Sequence, residues 1–218
     1  MSAPRHLFIT GTDTGVGKTY VTAQLVRGLR ARGIDAVGFK PICCGGRDDA
    51  ELLHEAAGGA LTLNEVNPVW LRAPVAPYAA SLIENRAVDL DLVRETYAHL
   101  RERHETVLVE GVGGWLVPIR QDFTMADLAA EWRLPVVVVV SNRLGSLNHT
   151  ALTLQAICHS GLECPGLIFN GGAPGSADDS FDDHTLARAT NREVLQTWLG
   201  AAVLASIEPG QSDVDVSW

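Results

Sequence analysis

Short apolar runs rich in β-branched residues alternate along the chain with segments of helical periodicity. Six of these runs predict strands that are too apolar to have a solvent-exposed face, and they cover residues 6–10, 36–39, 106–110, 135–140, 166–169 and 202–205. Alternating strands and helices are typical of a parallel sheet with helices on both faces. We therefore expect a single α/β domain over residues 1–218, with a doubly wound, mostly parallel sheet.

The segments between the strands have the spacing of amphipathic helices. Val21, Leu25, Gly28 and Leu29 form a helical stripe that ends at Gly33. Further helices are predicted around Leu90, Val93, Tyr97 and Leu100 and over residues 49–57, 125–132, 147–160 and 186–199. Residues 171–183 are rich in Gly, Ser and Asp, and we expect an exposed loop there and a polar tail after Pro209.

Composition narrows the classes of partner. The 218 residues are 46% hydrophobic and 20% charged, which argues against disorder, and the net charge of -9 disfavours nucleic acid as a ligand. A local loop of backbone N–H groups can still bind phosphate against this overall charge. The four cysteines lack metal-site spacing, the first residues lack a signal peptide, and residues 134–140 are too short to span a membrane. We expect a cytoplasmic protein with no membrane partner.

A phosphate-binding loop follows the first predicted strand. The sequence GTDTGVGKT at residues 11–19 leads directly into a periodic helix, which is the arrangement that this motif requires. Lys18 is expected to bind the β- and γ-phosphates, and the Thr19 hydroxyl is expected to bind Mg²⁺. The spacing departs from the usual pattern, because Gly11 precedes Gly17 by six residues and Thr12 stands where glycine is expected.

Charged residues at the ends of two other strands complete this candidate site. Glu110 ends a buried strand beside a Gly-rich turn, so its carboxylate is expected at the carboxyl edge of the sheet, as a second Mg²⁺ ligand. Asp48 or Asp49 is a further candidate ligand, although either could simply cap the helix that starts there. Lys40 ends the second strand and is expected to project over the same edge as Lys18, where the two charges would neutralise a developing phosphoryl charge.

Five segments together resemble the dethiobiotin synthetases. They are GTDTGVGKT (11–19), GFKP (38–41), NPVWLRAPVAPYAA (67–80), VEGVGGWLVPI (109–119) and LGSLNHTALT (144–153), so the resemblance covers roughly the first 170 residues. It implies a P-loop NTPase fold and an ATP- and Mg²⁺-dependent ligase of biotin synthesis. Such an enzyme closes a ureido ring on 7,8-diaminononanoate with CO2, through a carbamate and a carbamic-phosphoric anhydride, and acts as a homodimer. This reaction needs positioning and charge stabilisation rather than a covalent nucleophile.

The resemblance also implies roles for particular residues. The implied catalytic residues are Thr14, Lys18 and Lys40, and the implied metal ligands are Thr19, Asp49 and Glu110. Nucleotide contacts are implied for Gly15, Val16, Gly17, Lys18, Thr19, Tyr20, Asp49, Glu110, Gly111, Val112, Gly113 and Gly171, and adenine contacts for Asn170, Ile207, Glu208 and Pro209. Substrate contacts are implied for Thr14, Lys40, Cys44, Gly145, Ser146, Leu147 and Asn148.

The last four of these residues lie at the start of the helix predicted over residues 147–160, whose free N–H groups would suit the substrate carboxylate. The resemblance implies that they serve the active site of the neighbouring subunit. An alternative is that Ser146 and Asn148 only cap the helix.

Departures from the family pattern keep other functions open. Cys43-Cys44-Gly45 replaces a serine or threonine before glycine, Gly15 replaces a residue that is often larger, and Tyr78 stands where histidine is common. A thiol is a weaker hydrogen-bond donor than a hydroxyl, so we expect reduced substrate affinity, and we expect the thiols to be inert. The alternatives are a related enzyme with a different substrate, a regulatory P-loop ATPase, and an amidotransferase-linked ATP domain of cobalamin synthesis.

Overall fold

The computed structural model describes residues 6–171, 183–208 and 211, and the predicted loop at residues 171–183 and the tail after Pro209 lie almost wholly outside them. The strands are β1 (His6–Gly11), β2 (Ala36–Phe39), β3 (Ile42–Cys44), β4 (Val69–Leu71), β5 (Thr106–Glu110), β6 (Pro118–Arg120), β7 (Phe123–Thr124), β8 (Val136–Ser141), β9 (Gly166–Asn170) and β10 (Val203–Ile207). The helices are α1 (Lys18–Ala31), α2 (Asp48–Ala56), α3 (Leu63–Val66), α4 (Pro77–Ile83), α5 (Leu90–Arg103), α6 (Met125–Trp132), α7 (Ser146–His159) and α8 (Asp183–Leu199).

A six-stranded sheet organises the fold, in the order β10-β9-β8-β1-β5-β2. Every neighbouring pair in this sheet is parallel. The six predicted strands are all confirmed, and their ends differ from the prediction by no more than two residues. The predicted fold class, a doubly wound parallel sheet with helices, is therefore confirmed.

The central strands are buried on both faces, which explains why their sequences are continuously apolar rather than alternating. Phe8 and Ile9 in β1, residues 107–109 in β5 and residues 136–140 in β8 are all 0% exposed. Since all strands run in the same direction, their carboxyl ends meet at one edge. Gly11, Glu110 and Asn170 end three of these strands, so they share that edge.

Smaller elements that the sequence did not predict flank this edge. Strands β3 and β4 form a parallel two-stranded sheet, and β6 and β7 form an antiparallel one. Both are built from strands of two or three residues, which are too short to show a period of two in the sequence. Within the described residues, no helix is both long and apolar enough to cross a membrane.

Candidate active site

The phosphate-binding loop lies between β1 and α1, where the sequence predicted it. Gly15 and Gly17 have φ angles of 74° and 88°, in the left-handed region that favours glycine. At its start, the Thr12 N–H donates to the carbonyl oxygen of Val139 at 3.1 Å. At Gly11 the reason for glycine is steric rather than conformational, because a Cβ there would lie 2.6 Å from a methyl carbon of Val16. The unusual spacing of the motif is thus compatible with a closely packed loop.

Lys18 is folded back over this loop. Its Nζ donates to the carbonyl oxygen of Asp13 at 3.0 Å, and the residue is only 6% exposed. Burial, assisted by the nearby charge of Lys40, lowers the pKa of Lys18 to about 8. The carboxylates of Glu110, Asp49 and Asp13 offset this lowering only in part, and a bound phosphate would add a further anion beside the ammonium group.

A buried acid centre adjoins the loop. The Glu110 carboxylate is 0% exposed, and its Oε1 accepts hydrogen bonds from Lys40 Nζ at 2.5 Å and from the Thr19 hydroxyl at 2.7 Å. Lys40 Nζ also donates to Asp49 Oδ2 at 2.7 Å. The structure therefore brings together four residues that the sequence placed at this edge.

The charges in this centre depend on one another. Burial by itself would lower the pKa of Lys40, but the carboxylates of Glu110 and Asp49 outweigh that effect and raise it. Burial would likewise raise the pKa of Asp49, and the Lys40 charge and hydrogen bond lower it instead. Lys40 is therefore a fixed cation at neutral pH, and Asp49 is ionised.

The donors of this centre fit Mg²⁺, which prefers oxygen ligands. Thr19, Glu110 and Asp49 supply a hydroxyl and two carboxylates, and Glu110 Oε2 is buried with no hydrogen-bond partner. This centre has two carboxylates, and nowhere in the part of the chain that the structure describes do three or more His, Cys, Asp or Glu side chains form a group that could hold a metal. Asp49 rather than Asp48 contacts Lys40, and the capping alternative is wrong because Arg47 is the N-cap of α2.

The Gly-rich turn after β5 lies against the phosphate loop. The Gly111 N–H donates to the carbonyl oxygen of Ile9 at 3.0 Å. A Cβ on Gly113 would lie 3.6 Å from the Thr14 hydroxyl, so these two loops are close neighbours. Thr14 is exposed at this point, and Val112 is half-buried.

Sequence reasoning missed a residue that positions Lys40. Asn67 is 1% exposed, and its Nδ2 donates to the carbonyl oxygens of Lys40 and Val69, both at 2.9 Å. Its Oδ1 accepts from Arg47 Nε at 3.1 Å. The signal in the sequence is its place in NPVW at residues 67–70, within one of the segments that carry the resemblance.

Cys43 and Cys44 follow Lys40 closely in the sequence and belong to strand β3. Because they are consecutive in a strand, their side chains lie on opposite faces of it. Cys43 is 2% exposed and Cys44 is half-buried. Burial raises the pKa of Cys43 to about 12 and that of Cys44 to about 11, so both thiols are protonated at neutral pH. Tyr78 lies half-buried on α4.

The predicted carboxylate anchor lies at the start of α7. Gly145, with φ of 90°, is the N-cap of α7, and no side chain makes a capping hydrogen bond there. The alternative that Ser146 and Asn148 only cap the helix is therefore wrong. Ser146 is 3% exposed and its hydroxyl accepts from Asn191 Nδ2 at 2.9 Å, a contact that the sequence did not predict. Leu147 is half-buried, and Asn148 is exposed.

The residues predicted to contact adenine lie at the ends of β9 and β10. Asn170 Nδ2 donates to the carbonyl oxygen of Val16 in the phosphate loop at 2.9 Å, and the Gly171 N–H donates to Ile207 at 2.8 Å. Gly171, Ile207 and Glu208 line a cavity of about 460 Å³ together with Asn142, Phe169, Arg188, Ala189, Arg192 and Ser206. Pro209 lies outside the described residues. Tyr20, at the start of α1, donates its hydroxyl proton to the carbonyl oxygen of Gln211.

Solved structures share this fold. The signal recognition particle receptor FtsY from Elizabethkingia anophelis matches all of this chain and 62% of its own, with a TM-score of 0.57 and 13% identity. A ParA family ATPase from Chlorobium tepidum matches 96% of this chain and 86% of its own, with a TM-score of 0.56 and 11% identity. At these identities the likeness shows the fold alone.

Sequence comparison is more specific. A family model described as an AAA domain matches residues 5–214. The ATP-dependent dethiobiotin synthetase BioD of Akkermansia muciniphila is 46% identical over 212 residues, which cover 97% of this chain and 96% of the relative. The proteins of the same name from Anaeromyxobacter dehalogenans and Aquifex aeolicus are 48% and 39% identical over 198 residues, covering 88% and 89% of this chain and 88% and 85% of their own. The chain therefore belongs to the dethiobiotin synthetase family.

Proposed function

We propose that this enzyme carries out the ATP- and Mg²⁺-dependent carboxylation and ring closure of 7,8-diaminononanoate with CO2, giving dethiobiotin, ADP and phosphate. The family membership supports an ATP-dependent ligase of biotin synthesis. The observation that carries the mechanism is the contact of Lys40 with both Glu110 and Asp49 beside the phosphate loop. We further propose that residues 1–218 form one domain and that the enzyme acts in the cytoplasm.

The reaction starts with the capture of CO2. One amine of the substrate attacks the carbon of CO2, loses a proton and becomes a carbamate. Thr14, Lys40 and Cys44 are the proposed contacts for this end of the substrate. Since the thiol of Cys44 is protonated, it can donate a weak hydrogen bond but is no nucleophile.

Phosphoryl transfer follows. A carbamate oxygen attacks the γ-phosphorus of ATP, the bond to the β-phosphate oxygen breaks, and ADP leaves. Lys18 and Lys40 bracket the transferred group, and the raised pKa of Lys40 makes it a fixed positive charge rather than a base. Mg²⁺ held by Thr19, Asp49 and Glu110 would offset charge on the β- and γ-phosphates.

Ring closure completes the reaction. The second amine attacks the carbonyl carbon of the mixed anhydride, phosphate leaves, and the nitrogen loses a proton to give the cyclic urea. This step needs the two amines to stay fixed relative to the loop. We propose that the Asn148 side-chain amide and the free backbone N–H groups of residues 145–148 from a second subunit hold the distant carboxylate of the substrate, which makes the active unit a homodimer. The Ser146 N–H is not among these free groups, because it donates to the carbonyl oxygen of Arg143 at 3.2 Å.

The test measures ADP release with ATP, Mg²⁺ and bicarbonate, with and without the diamine, together with the mass of the organic product. Diamine-dependent ADP release with a ureido product is expected, whereas turnover that ignores the diamine would indicate another substrate or a regulatory ATPase. Folded Lys18→Ala and Lys40→Ala variants should each lose most of this activity, and near-normal turnover in either would overturn the role of that lysine.

Mixing subunits tests the dimer. A Lys18→Ala subunit and an Asn148→Ala subunit should restore part of the activity when they are mixed, because one site of each mixed dimer is intact. Mixtures without recovered activity would mean that each subunit is self-contained.

A further inference from the structure

Asn170 joins the end of β9 to the phosphate loop. Its Nδ2 donates to the carbonyl oxygen of Val16 at 2.9 Å, and the residue is 7% exposed. The contact is close enough to restrict the loop sequence, because a Cβ on Gly17 would lie 2.0 Å from the same nitrogen. Gly17 is thus required by space as well as by its φ of 88°.

The backbone of Asn170 is itself held from both sides. Its carbonyl oxygen accepts from the Asn142 N–H at 3.0 Å, after β8, and Asn170 is paired with Ile207 of β10. The backbone of Asn170 is therefore fixed in the sheet, and its side-chain hydrogen bond can hold the phosphate loop in a defined position relative to the sheet.

The peptide that Asn170 binds is the one between Val16 and Gly17. A trans peptide is planar, so its C=O and N–H groups point in opposite directions. When the Val16 carbonyl is held towards Asn170, the Gly17 N–H must point the other way, to the side of the loop away from β9. Backbone N–H groups of such a loop are the donors that bind phosphate.

We propose that Asn170 is a positioning residue for triphosphate binding: it orients the Val16–Gly17 peptide so that the Gly17 N–H faces the bound phosphates. This role rests on the nucleotide site of the proposed function. It differs from the predicted adenine contact of Asn170, because it acts on the triphosphate, which all nucleoside triphosphates share whatever their base. Loss of the side chain should therefore weaken phosphate binding whether or not a base is present.

Inorganic tripolyphosphate separates the two roles, since it has no base. Calorimetric titration with Mg²⁺ would give Kd for tripolyphosphate and for ATP in the wild type, in Asn170→Ala and in Asn170→Ser. Removing one buried hydrogen bond should weaken both ligands alike, by about fivefold to tenfold. Glu208→Ala, at the predicted adenine end, is the matched control and should weaken ATP only.

Thermal unfolding without ligand shows whether each variant is folded before its affinity is compared. The serine variant retains a polar group, so it serves as the test if the alanine variant does not fold. If a folded Asn170 variant binds tripolyphosphate as the wild type does, the proposal is wrong, and a loss confined to ATP would assign Asn170 to the base. If the wild type binds neither ligand, the proposed function itself fails.

Discussion

Replacing Lys40 by Met should destabilise the fold as well as stop the reaction. The side chains of Lys40 and Glu110 are 3% and 0% exposed, so the ion pair between them is almost wholly shielded from water. Without Lys40, the Glu110 carboxylate keeps the Thr19 hydroxyl as a partner but loses the cation bonded to it, and the nearby charge of Lys18 only partly compensates. Breaking one side of a buried pair costs about 3–5 kcal/mol, because the remaining charge is left uncompensated.

The ion pair of Lys40 with Asp49 adds little to the stability lost in Lys40→Met. Its side chain is 50% exposed, so water can solvate its carboxylate when Lys40 is absent. The cost should therefore come mainly from Glu110, and the double variant Lys40→Met with Glu110→Gln should recover much of the lost stability.

Urea unfolding of the wild type, the two single variants and the double variant gives the coupling energy directly. Arg94→Met is the matched control, because it removes an arginine from exposed ion pairs with Asp91 and Glu131 and should cost no more than about 1 kcal/mol. If Lys40→Met costs no more than the control, or if Glu110→Gln brings no recovery, the reasoning about a buried uncompensated charge is refuted.

Three further outcomes follow from the site. Glu110→Gln should move the Mg²⁺ dependence of ADP release to much higher concentrations, and an unchanged titration would make Glu110 a structural residue only. Gly17→Ala should lose at least tenfold in ATP affinity by calorimetry, as an order-of-magnitude estimate, because the added methyl group displaces Asn170 and strains the backbone. Iodoacetamide at pH 8 should label the exposed Cys158 quickly and Cys43 very slowly, because burial raises the pKa of Cys43 to about 12. Peptide mass mapping measures the two labelling rates, and equal rates would contradict the burial of Cys43.

The parts of the molecule that the sequence predicted are those with a strong local signal. Continuous apolar runs predicted the six strands of the main sheet, and GKT before an amphipathic helix predicted the loop with Lys18 and Thr19. Parallel strands with polar residues at their ends then placed Glu110 and Lys40 at one edge.

The parts that were not predicted depend on long-range contacts or on very short elements. The contact of Asn170 with Val16 joins residues 154 positions apart, and the hydrogen bond of Asn191 to Ser146 joins residues 45 positions apart. Strands β3 and β6 have three residues each, which is less than two periods of strand alternation. Asn67 gave a sequence signal, but its function as a support for Lys40 needs the fold.

The parallel order of the main sheet has a consequence for how the enzyme folds. Strand β1 lies between β5 and β8, which are about 100 and 130 residues away along the chain and pair with Leu7 and Ile9 among others. The loop after β1 is complete only when β5 and β9 are also in place, so partly folded chains should not bind nucleotide. ATP would then stabilise only the completely folded chain, by a free energy of RT ln(1 + [ATP]/Kd). In a cell where ATP is well above Kd, this binding would shift the folding equilibrium of a slow-folding parallel sheet towards the native state.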